Sequence, residues 1–270
     1  MTYPAAMTSM RRWVPLVAAV AMVVAACGSD GAADSDTRDR DRAGAAEQAE
    51  PTTTTTSAEA TTTAAAAEAC DFRADPPAAR EVDEPDADPA EEGLVTVVLH
   101  TADGQIPMEL DRAAAPCNVE NLVSLAGQDY FDDTECHRLT TQGIFVLQCG
   151  DPTGTGTGGP GYTVPDEFPK DLPDFEGPDG PVAGATVYPR GSIAIANTGA
   201  PHSGGSQFFL VYADSPLPPQ YSLVGVMSEE GLATVDAIAE RGVDAQPADP
   251  IGADGAPAEP VVITEAVVAA

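Results

Sequence analysis

Basic side chains are scarce in this 270-residue, 27.6 kDa sequence: 12 lysines and arginines stand against 43 acids, giving a formal charge of −31 and a pI near 4.1. Nucleic acid is thereby excluded as an electrostatically driven partner, because phosphate binding needs a basic surface that releases counterions. Aromatics are also few, at 5% against a hydrophobic share of 43%, while glycine and proline number 25 each. Part of the chain is therefore expected to stay unpacked. The five cysteines lack CxxC spacing and the three histidines (His100, His137, His202) lie far apart, so no metal site and no cofactor are expected.

The charge is distributed unevenly. Residues 1–27 carry Arg11 and Arg12 and no acid, residues 28–93 carry 18 acids and five arginines, and residues 94–270 carry 25 acids and five cations. The first stretch runs from Met10-Arg11-Arg12 into an apolar segment, Trp13 to Ala26, and ends at Val24-Ala25-Ala26-Cys27. A charged start followed by so short an apolar run describes a secretory signal rather than a spanning helix. Its last four residues resemble a bacterial lipobox, so residues 1–26 are expected to be a lipoprotein signal peptide. Cys27 would then be lipidated and anchor the chain at the extracytoplasmic face of the cell membrane. Residues 27–92, with Thr52 to Thr56, Thr61 to Thr63 and Ala64 to Ala67, read as an acidic Ala/Thr-rich disordered linker. A glycosylated stalk is the other reading of that tract.

Setting Cys27 aside leaves Cys70, Cys117, Cys136 and Cys149, an even number in an oxidising location. Two disulfides with three possible connectivities follow. Cys70 is the linker residue that could tie to the folded part.

Residues 93–270 read as the globular domain. Val95 to His100 and Ile106 to Leu110 flank a Thr101-Ala102-Asp103-Gly104 turn, a hairpin signal. Val119, Leu122, Val123 and Ala126 mark one amphipathic helix; Leu232, Val235, Ile238 and Ala239 mark another, stopped at Gly242. Apolar runs at Leu139, Ile144 to Leu147, Ser192 to Ala196, Phe208 to Val211, Leu223 to Met227 and Val261 to Ile263 supply further strands. The pattern predicts a mainly β, closed antiparallel barrel or sandwich with helices over its ends.

Two segments carry a more specific signal. One runs Cys136-His137-Arg138-Leu139, then Phe145-Val146-Leu147-Gln148-Cys149-Gly150-Asp151, then Gly156-Thr157-Gly158-Gly159; the other is Gly191 to Asn197 followed by Gly205-Ser206-Gln207-Phe208-Phe209. In motif and order they resemble the cyclophilin family of peptidyl-prolyl cis-trans isomerases, from about Leu94 to the C-terminus. The resemblance implies a closed eight-stranded antiparallel barrel capped by two α-helices. It implies Arg138 as the catalytic arginine, acting with Phe145, Gln148, Asn197, Gln207 and Phe209. It further implies Val146, Gly156, Ala196, Leu217 and Tyr221 as substrate-binding positions, and proline-containing polypeptides as partners of a monomer.

The chemistry stands beside the resemblance. Amide resonance sets a rotation barrier of about 18–20 kcal/mol, and no bond need break, so neither nucleophile nor metal is required. A fixed cation hydrogen-bonding the imide nitrogen favours the deconjugated, pyramidal form. The 94–270 segment holds only Arg112, Arg138, Lys170, Arg190 and Arg241, so an arginine inside the motif stands out. The segment also departs from the family. Thr140 to Gly143 lengthen the Arg138–Gln148 hairpin by two residues, and Pro216 and Tyr221 replace the common Trp and His, from which weak binding of cyclosporin is expected. These departures motivate an alternative, a catalytically weak module that binds proline segments in the same groove.

If Arg138 and Gln148 face one groove, strand parity puts Cys136 and Cys149 on opposite faces. That favours Cys117–Cys149 with Cys70–Cys136. Gly154 to Gly159 satisfies GxGxxG, but Pro160 follows and no βαβ pattern surrounds it, which removes nucleotide binding.

Overall fold

A computed structural model of the chain describes residues 69–244 and 253–269. The expected signal peptide, the lipid site at Cys27 and the linker up to residue 68 lie outside the described residues.

The expected first hairpin is formed by β2 (Leu94–Thr101) and β3 (Gly104–Asp111), after a short β1 (Arg73–Ala74). Val97 faces Met108 and Leu99 faces Ile106 across the ladder, and all four are buried, so the period-2 alternation directs one face inward. Helix α1 (Pro116–Gly127) starts with proline at its first turn, where no N–H is missed. Its Cys117 and Asn118 N–H groups donate to the Glu167 carboxylate at 3.1 and 2.8 Å. It buries Val119, Leu122, Leu125 and Ala126, with Val123 only partly covered.

The chain continues through β4 (Thr134–Glu135), β5 (Arg138–Thr140), β6 (Val146–Cys149), β7 (Tyr162–Thr163), β8 (Asp174–Gly177), β9 (Gly180–Tyr188), β10 (Ser192–Ile195), β11 (Phe208–Val211), β12 (Ser215–Leu217) and β13 (Leu223–Met227). Helix α2 (Glu229–Glu240) follows, capped by the Ser228 hydroxyl, which accepts from Gly231 N–H, and stopped at Gly242 with φ +78°. Strands β14 (Asp254–Gly255) and β15 (Val262–Val268) complete the chain.

Among the described residues, ten strands form one antiparallel sheet in the order β14-β5-β6-β11-β10-β13-β3-β2-β15-β4. The mainly β, two-helix expectation agrees with this, but the closed eight-stranded barrel does not. The sheet is a curled half-barrel whose edge strands, β14 and β4, are two residues each and do not pair with one another. The opening lies where the chain leaves β15, the partner of β4, and joins β6, the partner of β5, within Cys136-His137.

That change of partner also corrects the disulfide pairing. The structure joins Cys70 to Cys117 and Cys136 to Cys149. Parity failed because Cys136 lies outside β5, so the alternation does not run on from Arg138. Cys136 turns into the core beside Cys149, at 2% and 0% exposure.

A hairpin absent from the sequence reading, β8–β9, joins β12 in a separate three-stranded sheet. Its turn, Pro178-Asp179 before Gly180 (φ +114°), is a signal that could have found it. The folded part also begins earlier than residue 93. Phe72 meets Tyr162 edge to face at 5.8 Å, β1 pairs with β7, and Arg80 Nη1 donates to the carbonyls of Asp129, Tyr130 and Asp132 at 2.7–2.9 Å. Residues 69–92 thus form an arm fixed to the domain, because Phe72 and Val82 supply apolar contacts that the acidic composition hides.

The Cys70–Cys117 link closes a 47-residue separation, for which the chain-entropy account gives about 4 kcal/mol. We expect Cys70→Ser/Cys117→Ser to lower unfolding stability by about 2–4 kcal/mol, read from the denaturant midpoint. An unchanged midpoint would show that the arm is held by its noncovalent contacts.

Candidate functional site

Strands β6, β11 and β10 are buried on both faces, and their alternation decides what the site contains. Leu147, Cys149, Phe208, Leu210, Ile193 and Ile195 enter the main core; Val146, Phe209, Val211 and Ala194 enter a second cluster on the outer face, closed over by Tyr188 of β9. Register fixes the neighbours: Phe209 lies opposite Gln148 and Ala194, and Arg138 lies opposite Gln148.

This outer face holds a cavity of about 190 Å³ lined by Arg138, Ile144, Val146, Gln148, Ala196, Asn197, Phe209, Leu217 and Tyr221. Phe209 and Tyr221 meet edge to face at 5.3 Å, and Tyr188 stands 6.3 and 6.2 Å from them. The Tyr188 hydroxyl donates to the Tyr221 carbonyl at 2.9 Å and accepts from its N–H at 3.1 Å, which fixes the Tyr221 backbone at the rim. Burial pushes the Tyr188 phenol up to about 12, so it stays protonated as a donor.

A second cavity of about 380 Å³ shares Gln148, Ala196 and Asn197 with the first. Gly156 and Gln207 line it, as do Asp75, Pro76 and Pro77 of the arm. Gln148 Nε2 donates to Gln207 Oε1 at 2.9 Å and Gln207 Nε2 to the Gly158 carbonyl at 3.0 Å, an amide relay from strand to loop. The loop is wound around the buried Asp151 carboxylate, which accepts the N–H groups of Thr153, Thr155, Gly156, Thr157 and Gly158. Burial opposes ionisation there; the Thr153 hydroxyl and the backbone donors outweigh it and hold the carboxyl below the usual range. A Cβ on Gly158 would sit 2.0 Å from Asp151 Oδ1, so only glycine fits at that turn. Asn197 Nδ2 donates to the Gln220 carbonyl at 2.6 Å, bridging the strand to the rim.

Of the residues expected at the site, Arg138, Gln148, Asn197, Phe209, Val146, Ala196, Leu217 and Tyr221 line the first cavity, and Gly156 and Gln207 the second. Phe145 lies elsewhere. Ile144, Val146 and Gln148 share one face at period 2, so Ile144 takes the place expected for Phe145, which packs edge to face on Tyr212 at 5.9 Å. The lengthened hairpin carries a Gln142–Ile144 bridge at this point. Asp75, Tyr188 and Asp254 were missed; Asp75 sits in the stretch read as linker, Tyr188 in a segment assigned no strand or helix, and Asp254 meets Arg138 through the pairing of β14.

Arg138 donates from Nε to Asp254 Oδ1 at 2.8 Å and from Nη2 to Oδ2 at 2.7 Å. Hydrogen bonding by Asp254 raises the guanidinium further, against burial, so it is charged at every working pH. Its chain neighbour His137 is half-buried, with both ring nitrogens unpartnered among the described residues. No group of three or more metal-type ligands occurs among the described residues.

A curled antiparallel sheet with two helices and a two-chambered groove on its outer face defines a β protein of cyclophilin fold. The comparisons agree: the family model described as cyclophilin type peptidyl-prolyl cis-trans isomerase/CLD matches residues 96–268, and the chain belongs to that family. It is 46% identical over 177 residues to the protein named "Probable peptidyl-prolyl cis-trans isomerase B" of Mycobacterium tuberculosis, covering 65% of this chain and 55% of that one. The protein of the same name in Mycobacterium leprae is 45% identical over 176 residues, at 65% and 57% coverage. The chain therefore spans little more than half the length of these relatives. A crystal structure of a cyclophilin type peptidyl-prolyl cis-trans isomerase of Cryptosporidium parvum superposes with a TM-score of 0.51 at 25% identity, covering 66% of this chain and 99% of that one.

Burial holds the His137 imidazole below its ordinary value of 6.5, with Asp151 opposing and Arg138 reinforcing the shift. The unfolded chain therefore binds the extra proton, and the stability due to the neutral ring is complete above about pH 6.5 and is lost as pH falls below it. Denaturant midpoints should decline from pH 7 to 5, and His137→Gln should flatten that decline. An equal slope in the variant would assign the loss to other groups.

Proposed function

We propose that this chain accelerates rotation about X-Pro peptide bonds, with Arg138 polarising the imide nitrogen, and that its clients are polypeptides folding outside the cytoplasm. The observation that carries the reading is the placement of a guanidinium at the mouth of an apolar slot formed by Val146, Phe209, Leu217 and Tyr221. The slot would hold a proline ring still while the preceding carbonyl swings. Asn197, Gln148 and Gln207 supply amides for the extended backbone on either side.

Magnitudes divide the work. A 10⁶-fold acceleration needs about 8 kcal/mol of transition-state stabilisation. A hydrogen bond from a charged donor contributes about 1.5–3 kcal/mol. Arg138 therefore supplies a minority, and the preorganised slot and backbone amides the rest.

Two disulfides within the domain support an oxidising location, as do the lipobox-like residues ending at Cys27. In this reading the lipid at Cys27 holds the chain at the membrane and residues 28–68 give reach. A second reading, a module that binds proline segments without turning them, is favoured by one observation: two of the three Arg138 nitrogens are already occupied by Asp254.

A proline-peptide assay on the purified chain separates the two. Arg138→Ala should lower kcat/KM by about 10–10²-fold, the worth of one charge-assisted hydrogen bond. Rate unaffected by the substitution would refute the assigned mechanism, and peptide affinity with no acceleration in the unaltered chain would establish the binding module. For location, Cys27→Ala is expected to move the protein from the membrane fraction to the medium or leave it as precursor; normal membrane retention would contradict a lipid anchor.

A further inference from the structure

Five arginines are ion-paired among the described residues, Arg73, Arg112, Arg138, Arg190 and Arg241, and of these Arg138 alone lines the groove's first cavity. Its partner comes from an unusual place. Strand β14 is two residues long and, among the described residues, pairs with β5, Asp254 opposite Thr140 and Gly255 opposite Leu139, with a further bond from Thr141 N–H to the Ala253 carbonyl at 2.8 Å. Asp254 is thus diagonal to Arg138 on the adjacent strand, a separation that long side chains span.

The pair is poorly placed to stabilise the fold. Its side chains are 40% and 51% exposed, and ion pairs so open to water contribute little. It does restrict geometry. The carboxylate takes the guanidinium side-on, through Nε and Nη2, which fixes the plane of the fork and leaves Nη1 without a protein partner among the described residues. An unpaired arginine on a strand near the sheet edge would spread over several rotamers, and its donor would meet the imide nitrogen only part of the time.

We propose that Asp254 is a positioning residue: by clamping Nε and Nη2 it aims Nη1 of Arg138 at the imide nitrogen of a bound proline. This rests on the reading of Arg138 as the polarising cation. The carboxylate weakens the field of the guanidinium but does not remove its donor, so orientation is gained at some cost in charge. The second reading above takes the same contact as occupation; the clamp takes it as aim. The two predict opposite signs when Asp254 is removed.

The experiment compares Asp254→Ala, Asp254→Glu, Arg138→Ala and the Ala/Ala double variant in the full chain, measuring kcat, KM and Tm with a proline tetrapeptide. The clamp predicts about a tenfold fall in kcat for Asp254→Ala with KM and Tm nearly unchanged, partial recovery in Asp254→Glu, and no added loss in the double variant. Unchanged or higher kcat in Asp254→Ala overturns it, as does an undiminished further loss on the Arg138→Ala background or a fall in Tm that accounts for the activity. If Arg138→Ala itself leaves kcat intact, the underlying assignment of the cation fails, a result distinct from a silent Asp254.

Discussion

The two-faced burial of β6, β11 and β10 is the constraint from which the rest of the molecule follows. Each of these strands must satisfy a core on one side and a groove on the other, and only the period-2 alternation keeps them apart. A slip of one residue in β11 would send Phe208 and Leu210 outward and turn Phe209 and Val211 into a core shaped for others. It would also carry Gln148, opposite Phe209, out of reach of the Gln207 amide that ties strand to loop. Groove and core are therefore specified by one register, and substitutions on either face are coupled through it.

Electrostatics works against a broadly acidic background, and the domain uses its carboxylates in two ways. Asp151 is fully buried and spends its charge inward, collecting N–H groups to wind a glycine-threonine loop into the wall of the second cavity. Asp254 and Asp236 stay near the surface, the first gripping Arg138 from the side through Nε and Nη2, the second gripping Arg190 end-on through Nη1 and Nη2. Burial raises the cost of an unpaired carboxylate, so the first kind comes with a full set of donors, while the second costs little and contributes geometry more than stability. In so cation-poor a domain an arginine rarely lacks an acid nearby, and the useful question about Arg138 is which of its nitrogens the acid leaves open.

Much of this was legible in the sequence because it is local. The hairpin at Ala102-Asp103, the stripe from Val119 to Ala126 and the Ser192, Phe208 and Leu223 runs are readable from a few neighbouring residues, and the motif residues fall together because the same strands carry them. What could not be read depends on long-range pairing or on where alternation breaks. Cys136 defeated the parity argument because the chain changes partner strands there. Phe145 and Ile144 exchanged places because parity counted from Gln148 within the lengthened hairpin selects Ile144. Asp254 is 116 residues from Arg138 and reaches it only through the pairing of β14.

The arm from residue 69 to 92 shows the same limit and adds a consequence. Its composition is that of a solvated tether, yet Asp75, Pro76 and Pro77 form one side of the second cavity. Besides the disulfide, one short strand pair, a few backbone bonds, a reciprocal pair of hydrogen bonds between Asp83 and Gln128, and the contacts of Phe72, Arg80 and Val82 hold it. A cross-link worth about 4 kcal/mol on the chain-entropy account is large against a typical domain stability of about 5–15 kcal/mol. It is larger still against the local cost of peeling away an exposed segment. The Cys70–Cys117 bond thus ties one side of the groove beyond the proline slot to α1. Reduction would act on both chambers, since the Cys136–Cys149 bond ties β6 to the residue preceding His137 and Arg138 just as Cys70–Cys117 ties the arm to α1.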